Sequence, residues 1–121
     1  MAEIAPILEW TFISEIPVPA DVQDLFIEGE SAFCAYKTLR DSAVFTNKRL
    51  IVRDAQGITG KEVEIYSLPY SSVNMWSSEN AGKLDFNAEM ELWTKAGHIK
   101  INLKKGIDIR KIDMLLAIYI L

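Results

Sequence analysis

His98 is the single histidine of this 121-residue chain and the first residue to weigh for acid–base chemistry. A general base needs a nucleophile or an orienting partner within reach of its ring. No serine or cysteine here sits in a nucleophile motif. His98 follows Ala96-Gly97, a short hairpin turn, where a solvent-facing side chain is the ordinary outcome. Cys34 is the single cysteine. It stands between Phe33 and Tyr36 in an apolar run, which predicts a buried, inert thiol; one cysteine allows neither an internal disulfide nor a cysteine-based metal site. Asp21 and Asp24 stand three residues apart without a third or fourth oxygen ligand beside them, too few for a hard cation. Asp108 is better explained as a helix cap. With no glycine-rich phosphate loop and no zinc spacing, the expectation is a non-enzyme with no catalytic residue, no cofactor and no metal.

The basic residues form two loose groups. Lys37, Arg40, Lys48 and Arg49 lie around the first strands. Arg40 is followed by Asp41, which can neutralise it, and Ser42-Ala43-Val44-Phe45 carries no base. The polybasic pattern that holds phosphoinositide headgroups is missing, so Lys37 and Arg40 stand as the only candidate anion-binding pair. The second group is Lys95, His98, Lys100, Lys104 and Lys105. Lys100 and Lys104 share a strand face opposite Glu89 and Glu91, which predicts cross-strand charge pairing. The formal net charge is −4. A domain-wide basic footprint is absent, so neither nucleic-acid binding nor stable membrane association is expected. Trp76 and Trp93 lack the interleaved bases of a base-stacking surface.

Periodicity supplies the elements that must position these residues. Ile4, Leu8 and Phe12 fall at helical spacing, with Pro6 where a first turn tolerates it. Pro17-Val18-Pro19 breaks that helix, and Val22, Leu25 and Phe26 predict a second, short one. Residues 1–27 therefore read as an N-terminal helical extension. From Ser31 to Lys104 the period is two. Strands are expected over Ser31–Leu39, Ser42–Thr46, Arg49–Arg53, Lys61–Leu68, Val73–Glu79, Leu84–Lys95 and His98–Lys104. Their connections are too short for parallel crossovers, which predicts an antiparallel meander. After Gly106, Ile109, Ile112, Leu116 and Tyr119 form one stripe of a helix that needs burial. A bent sheet of seven strands has an open end, and this helix would close it. Glu3 stands where a signal peptide would carry a base, and no apolar run approaches the ~18 residues of a membrane span. A soluble, cytoplasmic protein is expected.

Certain segments resemble bacterial pleckstrin-homology domains: Thr46-Asn47-Lys48-Arg49-Leu50-Ile51-Val52-Arg53-Asp54, Glu64 through Val73, Trp76 through Gly82, Glu91-Leu92-Trp93, and Ile99 through Ile109. The resemblance covers roughly residues 28–121. It implies a mainly β fold: a seven-stranded, partly open antiparallel barrel capped by a C-terminal helix. It also implies no reaction and no cofactor, and similar domains tend to form homo-oligomers, often ring-like.

Trp93 falls on the polar face of its strand with Glu89 and Glu91, and Trp76 is expected beside Asn74 and Ser78. A tryptophan on an outer face marks an interface, unless the N-terminal helix with Trp10 and Phe12 covers both. Met114 and Ile118 lie off the main stripe of the last helix, which suggests a second partner for it. Two functions follow as expectations. The first is a non-catalytic module that self-associates, as a scaffold or protein-interaction domain, through Trp76, Trp93, Met114 and Ile118. The alternative is a ligand-binding barrel for a lipid, peptide or small anion, with its mouth near Lys37 and Arg40.

Overall fold

The computed structural model describes residues 6–56, 62–79 and 87–121. In chain order these form β1 (Leu8–Ile16), the short helix α1 (Ala20–Gln23), β2 (Ala32–Thr38), β3 (Asp41–Thr46), β4 (Arg49–Gln56), β5 (Glu62–Pro69), a single 3₁₀ turn at Tyr70–Ser72, β6 (Val73–Glu79), β7 (Ala88–Thr94), β8 (Gly97–Leu103) and α2 (Ile109–Ile120). The strands make one eight-stranded sheet in the order β5-β4-β3-β2-β1-β8-β7-β6. Its two edges, β5 and β6, are joined only by the 3₁₀ turn, so the sheet curls without closing. The loop expected at Asn80–Lys83 and the first residues of the Leu84–Lys95 run lie outside the described residues.

The largest departure from the sequence reading is at the N-terminus. Leu8–Ile16 is a strand, not a helix, and it raises the count from seven to eight. The spacing Leu8, Phe12 fits a helical face, but it fits alternation equally well once Trp10 is included. Leu8, Trp10 and Phe12 all turn inward toward the core, and a segment rich in aromatic and β-branched residues favours the pleated surface. α1 does form, close to where the second helix was expected.

β1 also breaks the expected all-antiparallel pattern. Leu8–Phe12 runs parallel to Ile99–Leu103 of β8, while Phe12–Ile16 runs antiparallel to β2. Phe12 is the pivot: it lies opposite Thr38 on one side and Leu103 on the other, and the register shifts between Phe12 and Ser14. Its ring stacks on Tyr36 at 5.2 Å and meets Phe45 edge-on at 6.1 Å. Because the other strands form two separate ladders, β2–β5 and β6–β8, β1 is the strand that joins them.

The main core fills the concave side. β7 alternates without fault, with Ala88, Met90 and Leu92 buried, and β8 follows with Ile99, Ile101 and Leu103. α2 lies over the open end. Asp108 caps it as expected, its Oδ1 accepting from the Arg110 and Lys111 amides at 3.0 and 3.3 Å. Ile109, Ile112, Leu115 and Leu116 face inward. Tyr119 stacks on Tyr70 of the 3₁₀ turn at 5.7 Å, and the Tyr70 hydroxyl donates to the Thr46 carbonyl at 2.7 Å. Cys34 is buried in this core, and that burial pushes its thiol pKa up.

A second, smaller core lies on the convex side of β2–β4. Ala35, Val44 and Ile51 are covered by Val22, with Ile16, Val18 and Phe26 packed around them. This explains why both faces of β3 and β4 are apolar: the 17–30 segment shields the outer one. A polar clamp holds that segment down. The Glu30 side chain is fully enclosed. Its carboxylate accepts from Arg49 Nε and Nη2, both at 3.0 Å, from Thr46 Oγ1 at 2.7 Å and from the Ile27 amide at 3.1 Å. Arg49 also donates to the Leu25 carbonyl and to Ser67 Oγ, each at 2.9 Å. Asn47 completes the clamp, accepting from the Ser31 amide at 2.9 Å and donating to the Gly29 carbonyl at 3.0 Å. Burial alone would raise the Glu30 pKa, but these donors outweigh it and hold the carboxyl at about 2.

Two outcomes are expected from urea denaturation. Phe12→Ala should cost about 3–5 kcal/mol, the range for truncating a buried aromatic ring. The depressed Glu30 carboxyl contributes stability above its unfolded pKa, and that contribution is lost as the pH falls through about 4.5 toward 2. Wild-type stability should therefore drop over that window by on the order of 1–2 kcal/mol more than that of Glu30→Gln.

Candidate interaction surfaces

The four-stranded half β1-β8-β7-β6 presents an outer face whose rows follow from the strand register. Met75 lies opposite Trp93, Trp93 opposite His98, and the Ile7 amide donates to the His98 carbonyl at 2.8 Å. This gives a first row, Met75–Trp93–His98–Ile7. The next row is Ser77–Glu91–Lys100–Glu9, and the third is Glu79–Glu89–Asn102–Thr11. Met75 and Ile7 are 54% and 55% exposed. Trp93 is half-buried because its ring lies flat on His98, with centroids 5.1 Å apart and planes 9° from parallel. Gly97 is what lets Ile7 lie close: at φ 137°, a Cβ there would meet the Ile7 side chain at 3.0 Å.

The lower rows are acidic and internally paired. His98 Nε2 meets Glu91 Oε2 at 3.1 Å, Lys100 meets Glu89 at 3.3 Å, and Asn102 donates to Glu9 at 2.8 Å. The expected charge pairing across β7 and β8 is thus present. His98 is a packed, partnered side chain rather than a free one on a turn.

Trp93 is on the outer face, as its alternation with Glu89 and Glu91 predicts. Trp76 is not. The register shifts between Val73 and Met75, so Asn74 is the extra residue of a bulge and every later side chain changes face. Trp76 lies opposite the inward Leu92. It packs against the core, and its Nε1 donates to Asp113 Oδ1 of α2 at 2.7 Å. The outward position belongs to Met75, which strict alternation hides. Trp10 and Phe12 are themselves core residues of β1, the ring centroids of Trp10 and Tyr66 lying 5.8 Å apart.

α2 presents the second surface. Met114, Ile118 and Leu121 are 63%, 60% and 93% exposed, one stripe at i, i+4 and i+7, and Arg110 extends it by one turn toward the N-terminus, also exposed. Met114 and Ile118 thus lie off the buried stripe, as expected.

Lys37 and Arg40 do not converge. Lys37 lies opposite Ser42 on the face away from Tyr36. Arg40 lines a cleft of about 250 Å³ with Trp10, Thr38, Leu39, Val52 and Asp54. Its charge is met by Asp54 at 2.6 Å rather than by Asp41; Asp41 instead pairs with Arg53, which also lies 3.3 Å from Asp21.

The whole chain was compared with known families and structures, and the family model described as "Bacterial PH domain" matches residues 4–120. The chain belongs to the bacterial PH domain family. That match includes β1. Bacillus subtilis (strain 168) YjqA is 38% identical over 108 residues, spanning 87% of this chain and 86% of the relative. YozO of the same organism is 28% identical over 96 residues, spanning 79% and 83%. Among solved structures, a DUF1696 family protein with a pleckstrin-homology domain from Shewanella loihica PV-4 superposes with a TM-score of 0.78 at 36% identity, covering 89% of this chain and 97% of that one. A pleckstrin homology domain from Shewanella amazonensis SB2B gives 0.65 at 38% identity, covering 84% of each. No helix among the described residues is long and apolar enough to cross a membrane.

The two tryptophans should separate cleanly in stability measurements. Trp76→Phe leaves the half-buried Asp113 carboxylate without its donor and should cost about 1–2 kcal/mol. Trp93→Phe, which keeps an aromatic ring over His98, should stay within about 0.5 kcal/mol of wild type.

Proposed function

We propose that this PH-like chain is a non-catalytic module that self-associates and serves as a scaffold or protein-interaction domain in the cytoplasm. The observation that carries this reading is the exposed pair Met114 and Ile118 on α2, a helix whose opposite side already packs into the core. A helix greasy on two sides needs two partners, and the described residues supply only one. Trp93, Met75 and Ile7 add a second apolar surface on the outer sheet face.

The alternative, a barrel that takes up a lipid, peptide or small anion, has less behind it. Its two proposed cationic ligands point to different places, and Arg40 is already engaged by Asp54. The cleft beside Arg40 is large enough for only a small group, below or at the lower end of ordinary ligand pockets.

Light scattering after gel filtration tests the self-association reading. At high micromolar concentration the expected mass is a multiple of the 13.7 kDa chain. A sharp 13.7 kDa peak under those conditions would overturn it.

A further inference from the structure

The sheet ends in two strands, β5 and β6, and the two ends are not alike. β6 is interrupted by the bulge at Asn74 and tied to α2 by the hydrogen bond from Trp76 to Asp113. β5 is regular. It pairs with β4 in one unbroken register, from Gln56 opposite Glu62 to Arg49 opposite Pro69. Between Glu62 and Leu68 it holds neither lysine nor proline, the residues that ordinarily blunt an exposed edge.

The backbone of that edge can be assigned residue by residue. The Ala55 amide donates to the Arg40 carbonyl at 3.2 Å, so Ala55 turns its polar backbone groups toward the β3 side. Direction alternates along a strand. Asp54 and Val52 therefore turn theirs toward β5, where they lie opposite Glu64 and Tyr66. It follows that the amides and carbonyls of Val63, Ile65 and Ser67 point the other way, off the end of the sheet.

The side chains beside this edge differ from face to face. Val63 and Ile65 lie on the convex face, opposite Ala55 and Arg53, and are 41% and 40% exposed. Exposed Leu25 belongs to the same corner, since Arg49 bonds both its carbonyl and Ser67 Oγ. The other face carries Glu62 and Glu64, opposite Gln56 and Asp54, and Glu64 accepts from the Tyr66 hydroxyl at 2.7 Å. A strand laid along β5 thus meets apolar side chains on one face and carboxylates on the other, and its complement alternates apolar and basic residues. The β5 of a second copy is the wrong match: it would bring the same carboxylates against these, in a chain of net charge −4.

We propose that β5 is a docking edge for an extended segment of another protein, one that alternates apolar and basic residues and joins the sheet as a further strand. The backbone of Val63, Ile65 and Ser67 supplies the hydrogen bonds. Val63 and Ile65 receive the apolar side chains, and Glu62 and Glu64 the basic ones. This edge is separate from the exposed side of α2, so the proposal goes beyond self-association and does not depend on it.

The probe is a fluorescent peptide of about seven residues alternating lysine and valine, long enough to span Glu62–Leu68. Titrated with the full chain, it should bind by anisotropy, and NMR amide exchange should slow at Val63, Ile65 and Ser67. Ile65→Pro removes one outward N–H, a change that edge strands tolerate, and should weaken the peptide about tenfold. Val63→Lys/Ile65→Lys makes the same test if Ile65→Pro unfolds, as thermal melts will show. Met114→Glu/Ile118→Glu on α2 should bind like wild type. A glutamate–valine peptide should bind at least about tenfold more weakly than the lysine one. The proposal fails if the lysine peptide does not bind below ~1 mM, if binding leaves those three amides exchanging as before, or if the acidic peptide binds equally well. Exchange at the three amides that slows with chain concentration alone would also overturn it, by making a second copy the occupant. A monomeric chain that still takes up the peptide upholds the docking edge and sinks only the self-association reading.

Discussion

Everything in this fold depends on one strand serving two neighbours. Without β1 the chain would hold two separate ladders, β2–β5 and β6–β8, each with a raw edge facing the other. β1 gives its first half to β8 in parallel and its second half to β2 in antiparallel, changing allegiance at Phe12. The register shift after Phe12 accommodates the change, and the aromatic cluster of Phe12, Tyr36 and Phe45 fills the space inside the bend. The curvature set there leaves β5 and β6 apart at the far end, and that gap is what α2 covers.

The Glu30–Arg49 clamp plays the matching role on the convex side. A buried ion pair is weak evidence of stability on its own, because desolvation offsets much of its attraction. Here the guanidinium fork does more than meet a charge. It ties the Leu25 carbonyl and Glu30 of one segment to Ser67 of β5 and to its own strand β4, so three stretches distant in sequence share one anchor. The Thr46-Asn47-Lys48-Arg49 turn, which carried the family resemblance, is therefore architectural. Three of its four side chains are spent holding the 25–31 segment against the sheet.

Much of this was legible in the residues, and the failures have physical causes. β7 and β8 could be read because one face is buried and the other solvated. α2 could be read because Asp108 and a 3.6-residue stripe agree. β1 was misread because its inward set, Leu8, Trp10 and Phe12, contains a pair at helical spacing, and nothing local reveals that a strand is needed between β2 and β8. Trp76 was assigned to the wrong face because a bulge at Asn74 reverses the alternation without any marker in composition. The faces of Trp93, Met114 and Ile118 follow the alternation and the helical stripe that their spacing predicts. The exposure of Met75 and Ile7 is not legible in the residues, in one case because of that bulge and in the other because Ile7 precedes β1. Arg40 was credited with the wrong partner, since Asp54 reaches it across a hairpin while Asp41 turns to Arg53.

The position of β1 also sets an order of events during synthesis. It leaves the ribosome well before its parallel partner; Glu9 and Asn102, which bond across that pair, are 93 residues apart. At ~5–20 residues per second the interval is ~5–20 s. The β2–β5 meander, built from near neighbours, is free to form while β1 still lacks half of its hydrogen bonds, and contacts so distant in sequence close slowly. The nascent chain thus spends that interval with Leu8, Trp10 and Phe12 uncovered on one flank. That interval, more than the finished fold, is when this small domain is exposed to aggregation and to chaperones.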